Sequence, residues 1–214
     1  LGLDYTMDTR LQYTGKIEND TLKGNLYLVG GFDPEFMDED LDSLVDVIAQ
    51  SGIRYIADTL AADVSMTDSV YWGNGWSWDD VPASFQPYMS PLMLNRGCVD
   101  VTVIPTQKDS LPQVVCVPAS DYYQVDNDGV SHQPKAERLQ ITRNWLYHGN
   151  LIHISGNVTK ETTRTLSIYN SKEFFFRTFV QRLKAKGIGF NQTTFADCPE
   201  NDSLTVVSSL FTLK

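Results

Sequence analysis

The sequence predicts an α/β domain interrupted by a small β-rich domain, and three features of the chain carry that reading. Residues 22–64 run strand, helix, strand; residues 98–158 hold short strands with no helical spacing between them; and an amphipathic helix returns at 172–186.

Leu1 to Leu11 (LGLDYTMDTRL) alternates polar and apolar residues, the period of a half-buried strand. Leu22 to Gly31 (LKGNLYLVGG) is a second strand. It is ended by its glycine pair and by Phe32-Asp33-Pro34, where the proline ring pushes Asp33 towards an extended backbone. A helix follows because Leu41, Leu44, Val45 and Ile48 recur at i, i+3, i+4 and i+7 and so line one face. Acidic residues 38–40 suit the positive end of its dipole, and Gly52 suits its C-terminal cap. Ile53 to Val64 is extended again, so a right-handed parallel crossover is expected to bring both strands into one sheet.

The stretch Gly75-Trp76-Ser77-Trp78-Asp79-Asp80-Val81-Pro82-Ala83-Ser84-Phe85, continuing to Pro91, has no period. Two of the four tryptophans stand beside two adjacent carboxylates, while Pro82, Pro87 and Pro91 exclude a regular ladder or helix. This is a shaped loop, and it admits two readings. Indole walls lower the local dielectric around a carboxylate and favour its pairing with an ammonium group. Alternatively, Asp79 or Asp80 caps a turn while the indoles cover the core.

Beyond the loop, residues 98–104 (CVDVTVI), 113–118 (QVVCVP), 137–143 (ERLQITR) and 150–158 (NLIHISGNV) are short strands separated by turn-rich stretches. The helix at Lys172 to Lys186 stripes Phe175, Phe179 and Leu183, broadened by Phe176 and Val180, and Gly187 ends it. With the preceding strand, Thr163 to Tyr169, it resembles the unit at 22–64. The expected division is therefore an α/β domain at 22–91 and 159–197 with residues 92–158 inserted as a β-rich domain.

Composition narrows the function classes. The 214 residues are 42% hydrophobic, enough for a substantial core, and 17 basic against 27 acidic residues give a formal charge of −10. No Lys/Arg cluster interrupts that balance, which argues against a nucleic-acid surface and against attraction to anionic lipid. No apolar run of about 18 residues reads as a membrane span, and no stretch reads as an export leader. Cys98, Cys116 and Cys198 are odd in number and far apart, which excludes a disulfide framework and a C-x-x-C metal knuckle. Three buried thiols are expected, with one pairing left open.

Chemistry-bearing motifs are sparse. His132, His148 and His153 are scattered, and His153 in Leu151-Ile152-His153-Ile154 reads as a strand-face residue rather than a ligand, so no metal site and no cofactor is expected. Gly30-Gly31-Phe32-Asp33 lacks the G-x-G-x-x-G spacing and a Walker lysine, and reads as a turn. Ser155-Gly156-Asn157 matches an S-x-N element, but neither S-x-x-K nor K-T-G accompanies it. Sequons at Asn19, Asn157, Asn191 and Asn201 matter only in a eukaryotic secretory context.

Several passages in order nonetheless resemble one family. They are LKGNLYLVGGFDP, Ser51-Gly52-Ile53 followed by Asp63-Val64-Ser65, GWSWDD, SPLMLNRGCVDVTV from Ser90 to Val103, and FVQRLKAKGIGF from Phe179 to Phe190. Together the chain resembles bacterial D-alanyl-D-alanine carboxypeptidases/endopeptidases of the class C low-molecular-mass penicillin-binding type. The resemblance implies an insertion, an α/β domain and a β domain, lying between the S-x-x-K and S-x-N elements of a penicillin-binding domain. Residues 1–21 and 198–214 would then lead out of and back into that missing domain. It further implies an extracytoplasmic parent enzyme, with the stem peptide of peptidoglycan and the penicillin-binding domain as partners. Asp80, the aspartate after the tryptophan motif, and Phe85 five residues on would hold the free amino end of the diaminopimelate side chain, with Trp78 as a pocket wall. The other reading is a freestanding, non-catalytic module that binds cell-wall peptide or a protein through its acidic aromatic loop.

Overall fold

The computed structural model describes residues 6–201 and 207–213. In chain order the elements are β1 (Thr9–Thr14), β2 (Lys16–Glu18), β3 (Thr21–Lys23), β4 (Leu26–Val29), α1 (Asp38–Gln50), β5 (Tyr55–Asp63), β6 (Cys98–Ile104) and β7 (Gln113–Val117). There follow β8 (Gln124–Ser131), β9 (Gln140–Arg143), β10 (Leu151–Val158), β11 (Thr162–Ser167), α2 (Ser171–Ala185), β12 (Gly189–Phe195) and β13 (Val207–Leu213). This is a mixed α/β chain with several sheets and few helices, as expected. The expected strand at 1–11 is observed from Thr9 onward, and its first five residues lie outside the described ones.

The chain divides into two compact units, residues 1–70, 90–96 and 175–214, and residues 71–89 and 97–174. The first is built on β5. That strand pairs in parallel with β4 and β3 along one edge and with β12 along the other, within a seven-stranded sheet that runs through β4 to β1 and β13. The expected single strand at 22–31 is split at Gly24-Asn25. Asn25 fills the break: its Oδ1 accepts from Thr59 N at 3.0 Å and its carbonyl accepts from Thr14 N at 3.0 Å. Helix α1 connects β4 to β5 and buries Leu41, Leu44, Val45 and Ile48, as their spacing requires, each worth about 1.5–3 kcal/mol of transfer free energy. Its first turn is closed by Met37 N donating to Asp40 Oδ2 at 2.9 Å, and Gly52 follows the Ser51 cap at φ +84°.

Helix α2 lies alongside α1 through a ladder of opposite charges spaced by four residues. Arg182 pairs with Asp38 and, at 2.8 Å, with Asp42, while Lys186 pairs with Asp46 at 2.6 Å. Beneath them Phe175, Phe179 and Leu183 are buried, with the Phe36 and Phe175 rings 4.8 Å apart. The expected likeness of residues 163–186 to the first strand-helix-strand unit does not hold. β11 pairs antiparallel with β6 in a separate three-stranded sheet, so α2 joins strands of different sheets.

The second unit holds two three-stranded sheets, β8-β10-β9 and β11-β6-β7. Across residues 92–158 the longest helical elements are three-residue turns, in keeping with strand-like alternation there. Its bounds differ from the expected window, because residues 71–89 cluster with it. They do so through backbone: Ser167 N donates to Pro82 O at 2.9 Å and Ala83 bridges Leu166. Residues 90–96 cluster with the first unit, where Phe32 N donates to Pro91 O and Asn95 N to Phe36 O. The three cysteines are free thiols, but only Cys98 is buried; Cys116, on the alternately exposed β7, and Cys198 are half-buried, which corrects the expectation.

Gly30 carries a testable constraint in the first unit. Its N–H donates to Asp63 O at 3.0 Å, and a Cβ added there would sit 2.6 Å from the Pro91 carbonyl. Gly30→Ala is expected to lower stability by about 1–3 kcal/mol in urea unfolding, because backbone rather than a mobile side chain must yield. Gly73→Ala, whose nearest neighbour would be Trp76 Nε1 at 3.8 Å, is the control and should be close to neutral. Equal midpoints for the two variants would show that the approach of Pro91 is not confining.

Candidate functional site

The acidic aromatic loop is a succession of turns. Trp76 N donates to Gly73 O at 3.4 Å, Asp80 N to Ser77 O at 3.3 Å, Ala83 N to Asp80 O at 2.9 Å and Gln86 N to Ala83 O at 3.1 Å. Trp78–Asp80 forms a single 3-10 turn. Below it lies Gln86, only 2% exposed, whose Nε2 donates to the Ser77 carbonyl at 2.6 Å. A buried amide therefore fixes the start of the turn, since leaving either group unpaired would cost more than the bond contributes.

Asp79 and Asp80 belong to that turn. Both are exposed, and among the described residues neither carboxylate makes a hydrogen bond or an ion pair. The turn has no side-chain cap, so the capping role open to these residues is not what the structure displays. Trp78 is 65% exposed and Phe85 70%, and Trp76 is exposed too, so the indoles of the motif do not cover a core. Large apolar side chains left in water beside an unpaired charge are the features expected of a contact surface.

Trp78 leans on Trp145, with ring centroids 5.5 Å apart and planes tilted by 42°. The two indoles, with Trp72, Val81, Tyr88, Leu146 and His148, line a hollow of about 180 Å³. Trp72 is fixed by donating Nε1 to Pro87 O at 3.0 Å, and Tyr88 packs edge-on to Tyr169 at 5.2 Å. Behind Tyr88 lies Arg143, 1% exposed, its guanidinium carbon 6.0 Å from the ring centroid. Arg143 donates Nε to Ser167 O at 2.8 Å and Nη1 to Gly149 O at 2.6 Å, and it makes no ion pair among the described residues. Burial holds its pKa below the ordinary arginine value and pushes the Tyr88 phenol above its own. The segment Asn144-Trp145-Leu146-Tyr147-His148 escaped the sequence reading. The available signal was an aromatic run in a turn-rich stretch, which does not disclose that half-buried Trp145 meets Trp78.

The remaining motifs resolve into structure. Asp33 Oδ1 accepts from Glu35 N at 2.9 Å, a turn as expected. Ser155-Gly156-Asn157 lies within β10, where Gly156 at φ +88° leaves room for the Arg138 carbonyl and Asn157 Oδ1 accepts from Gln133 N. His153 occupies a strand face, yet its Nδ1 lies 3.2 Å from Asp126 Oδ2. His132 and His148 are not part of that grouping.

Residues 1–209 match the family model described as the D-Ala-D-Ala carboxypeptidase 3 (S13) family. A D-alanyl-D-alanine carboxypeptidase of Actinomadura sp. strain R39 is 28% identical over 137 residues, which are 61% of this chain and 26% of that protein. D-alanyl-D-alanine carboxypeptidase DacB of Haemophilus influenzae is 32% identical over 100 residues, 46% of this chain and 21% of that protein. The crystal structure of penicillin binding protein 4 (dacB) from H. influenzae superposes with a TM-score of 0.73 at 19% identity, covering 98% of this chain and 46% of that one. At that identity the likeness concerns the fold, and the chain spans about half the length of that structure.

Gln86→Ala tests the support of the loop. Removing the buried amide should cost about 1–3 kcal/mol and raise amide exchange at Asp80 and Ala83, while the ladder between β1 and β4 keeps its protection. Unchanged exchange at both amides would mean that the turn holds without Gln86.

Proposed function

The chain belongs to the D-Ala-D-Ala carboxypeptidase 3 (S13) family, and we propose that it is the accessory, non-catalytic part of an extracytoplasmic serine-type D-Ala-D-Ala carboxypeptidase/endopeptidase. In this reading residues 1–21 and 198–214 connect it to a penicillin-binding domain, and its role is recognition of the peptidoglycan stem peptide. Attack on a D-Ala-D-Ala amide needs an activated serine, and no serine of this chain is followed three residues later by lysine. The acyl-enzyme would form on the other domain. What this chain contributes is a contact to the substrate's side chain.

The observation that carries the reading is the Asp80 carboxylate, exposed and without a partner among the described residues, on a turn anchored from beneath. Its proposed ligand is the side-chain ammonium of diaminopimelate, with Phe85 and Trp78 as the flanking apolar surfaces. A carboxylate and an ammonium about 4 Å apart gain about 1 kcal/mol in bulk water and about 4 kcal/mol at the effective dielectric of a protein surface. Aromatic walls that exclude water therefore decide how much the pairing contributes.

In the full-length protein, Asp80→Asn keeps the shape and removes the charge. It should lower kcat/KM on a diaminopimelate-containing peptide about ten- to a hundredfold, as for loss of a charge-assisted hydrogen bond. Acylation by a penicillin lacking that amino group should hardly change. Equal losses on both reactants would assign Asp80 to holding the loop, and no loss on either would remove it from the site. The 214-residue chain by itself should take up no fluorescent penicillin; a stoichiometric covalent label would overturn the assignment of the nucleophile to another domain.

A further inference from the structure

Two strands of the second unit bring together three side chains that the proposed substrate contact does not use. β8 and β10 run parallel in register, with Asp126 opposite His153 and Asp128 opposite Ser155. Residues two apart on a strand project to one side, so Asp126, Asp128, His153 and Ser155 share one face of the sheet. There His153 Nδ1 approaches Asp126 Oδ2 to 3.2 Å, and one donor atom from each of Asp126, Asp128 and His153 lies within 4.8 Å of the other two. Among the described residues neither carboxylate pairs with a lysine or arginine. Two negative charges thus converge on an imidazole with no cation to offset them.

The backbone beneath this face is fixed. Ile152 and Ile154 flank His153 on β10 and are fully buried, which holds the strand's facing. Asn127 turns to the other side, donating Nδ2 to Pro112 O at 2.9 Å and accepting from Gly129 N at 3.2 Å, and so sets the orientation of Asp126 and Asp128 around it.

We propose that Asp126, Asp128 and His153 form a divalent-cation site for a first-row ion of the Zn²⁺, Co²⁺ and Mn²⁺ type. One imidazole nitrogen and two carboxylates, without thiolate, form a borderline-to-hard donor set that suits these ions. Bonds of about 2.0–2.2 Å place donors roughly 3–4 Å apart, a contraction that rotation of the exposed carboxylates supplies. Three protein ligands leave coordination positions for water or for a ligand of the ion. β8 is the edge of its sheet, so a bound ion would cross-link that edge to β10. The sequence places His153 on a strand face and offers no metal site; the register of β8 against β10 brings the two aspartates to that face.

The test is titration of the 214-residue chain with Zn²⁺ by calorimetry and with Co²⁺ by visible absorption. Saturable one-to-one binding is expected, with affinity lowered at least tenfold in His153→Gln and in Asp128→Asn, and unchanged in His132→Gln. Mn²⁺ on the unmodified chain should broaden the NMR signals of residues 126–128 and 151–155 first, a readout independent of how the variants fold. Absence of saturable binding, retention of full affinity in His153→Gln, or broadening centred on the acidic stripe Asp38, Asp42 and Asp46 would overturn the site.

Discussion

The candidate site depends on one buried amide. Gln86 lies under the Trp78–Asp80 turn and donates to the Ser77 carbonyl. Above that bond the surface is exposed: two carboxylates without partners among the described residues, and the large side chains of Trp76, Trp78 and Phe85. A surface of that kind gains nothing from its own exposed groups, so its shape must be held from below. The backbone bonds of Pro82 and Ala83 to β11 do the same at the far side of the turn, which ties the irregular loop to a regular strand.

Much of the first unit was legible because its helices bury periodic faces. Leu41, Leu44, Val45 and Ile48 announce α1, and the aromatic stripe of Phe175 and Phe179 announces α2. What could not be read was pairing between distant segments. β12, GFNQTTF, has little apolar content because it covers an edge of β5 mainly through backbone hydrogen bonds, which leave no hydrophobic period. The break at Gly24-Asn25 was hidden for a similar reason: Asn25 substitutes its side-chain carbonyl for a missing ladder acceptor, and a single asparagine inside LKGNLYLVGG does not disclose its partner.

The second unit was harder for reasons that also hid its chemistry. β8 reads QVDNDGVS, whose Asp-Asn-Asp-Gly core has the composition of a turn. It is extended because β10 pairs with it along all eight residues, a tertiary preference that overrides the local one. The same pairing sets His153 beside Asp126. A histidine and two aspartates 25 or more residues apart carry no spacing signal, so the grouping exists only once the register is known. Trp145 is a parallel case, a partner for Trp78 supplied by a three-residue turn between β9 and β10.

The exposure of Asp80 bears on how such a residue would work. A carboxylate already neutralised inside its own chain would have to break that pair before binding an ammonium group, and would lose selectivity by doing so. Asp80 has no such pair among the described residues, so binding costs it desolvation and ordering but no broken ion pair. An exposed charge with apolar neighbours contributes little until a ligand brings its own apolar surface and displaces the water between them. The ligand proposed above, the free amino end of the diaminopimelate side chain, would offer both, an ammonium beside its own carboxylate beyond a short methylene stem. Under that proposal the loop would respond to the combination of charge and stem rather than to charge alone, and a rigid turn would serve this better than a flexible one, because position rather than strength would separate such an ammonium from other cations in solution.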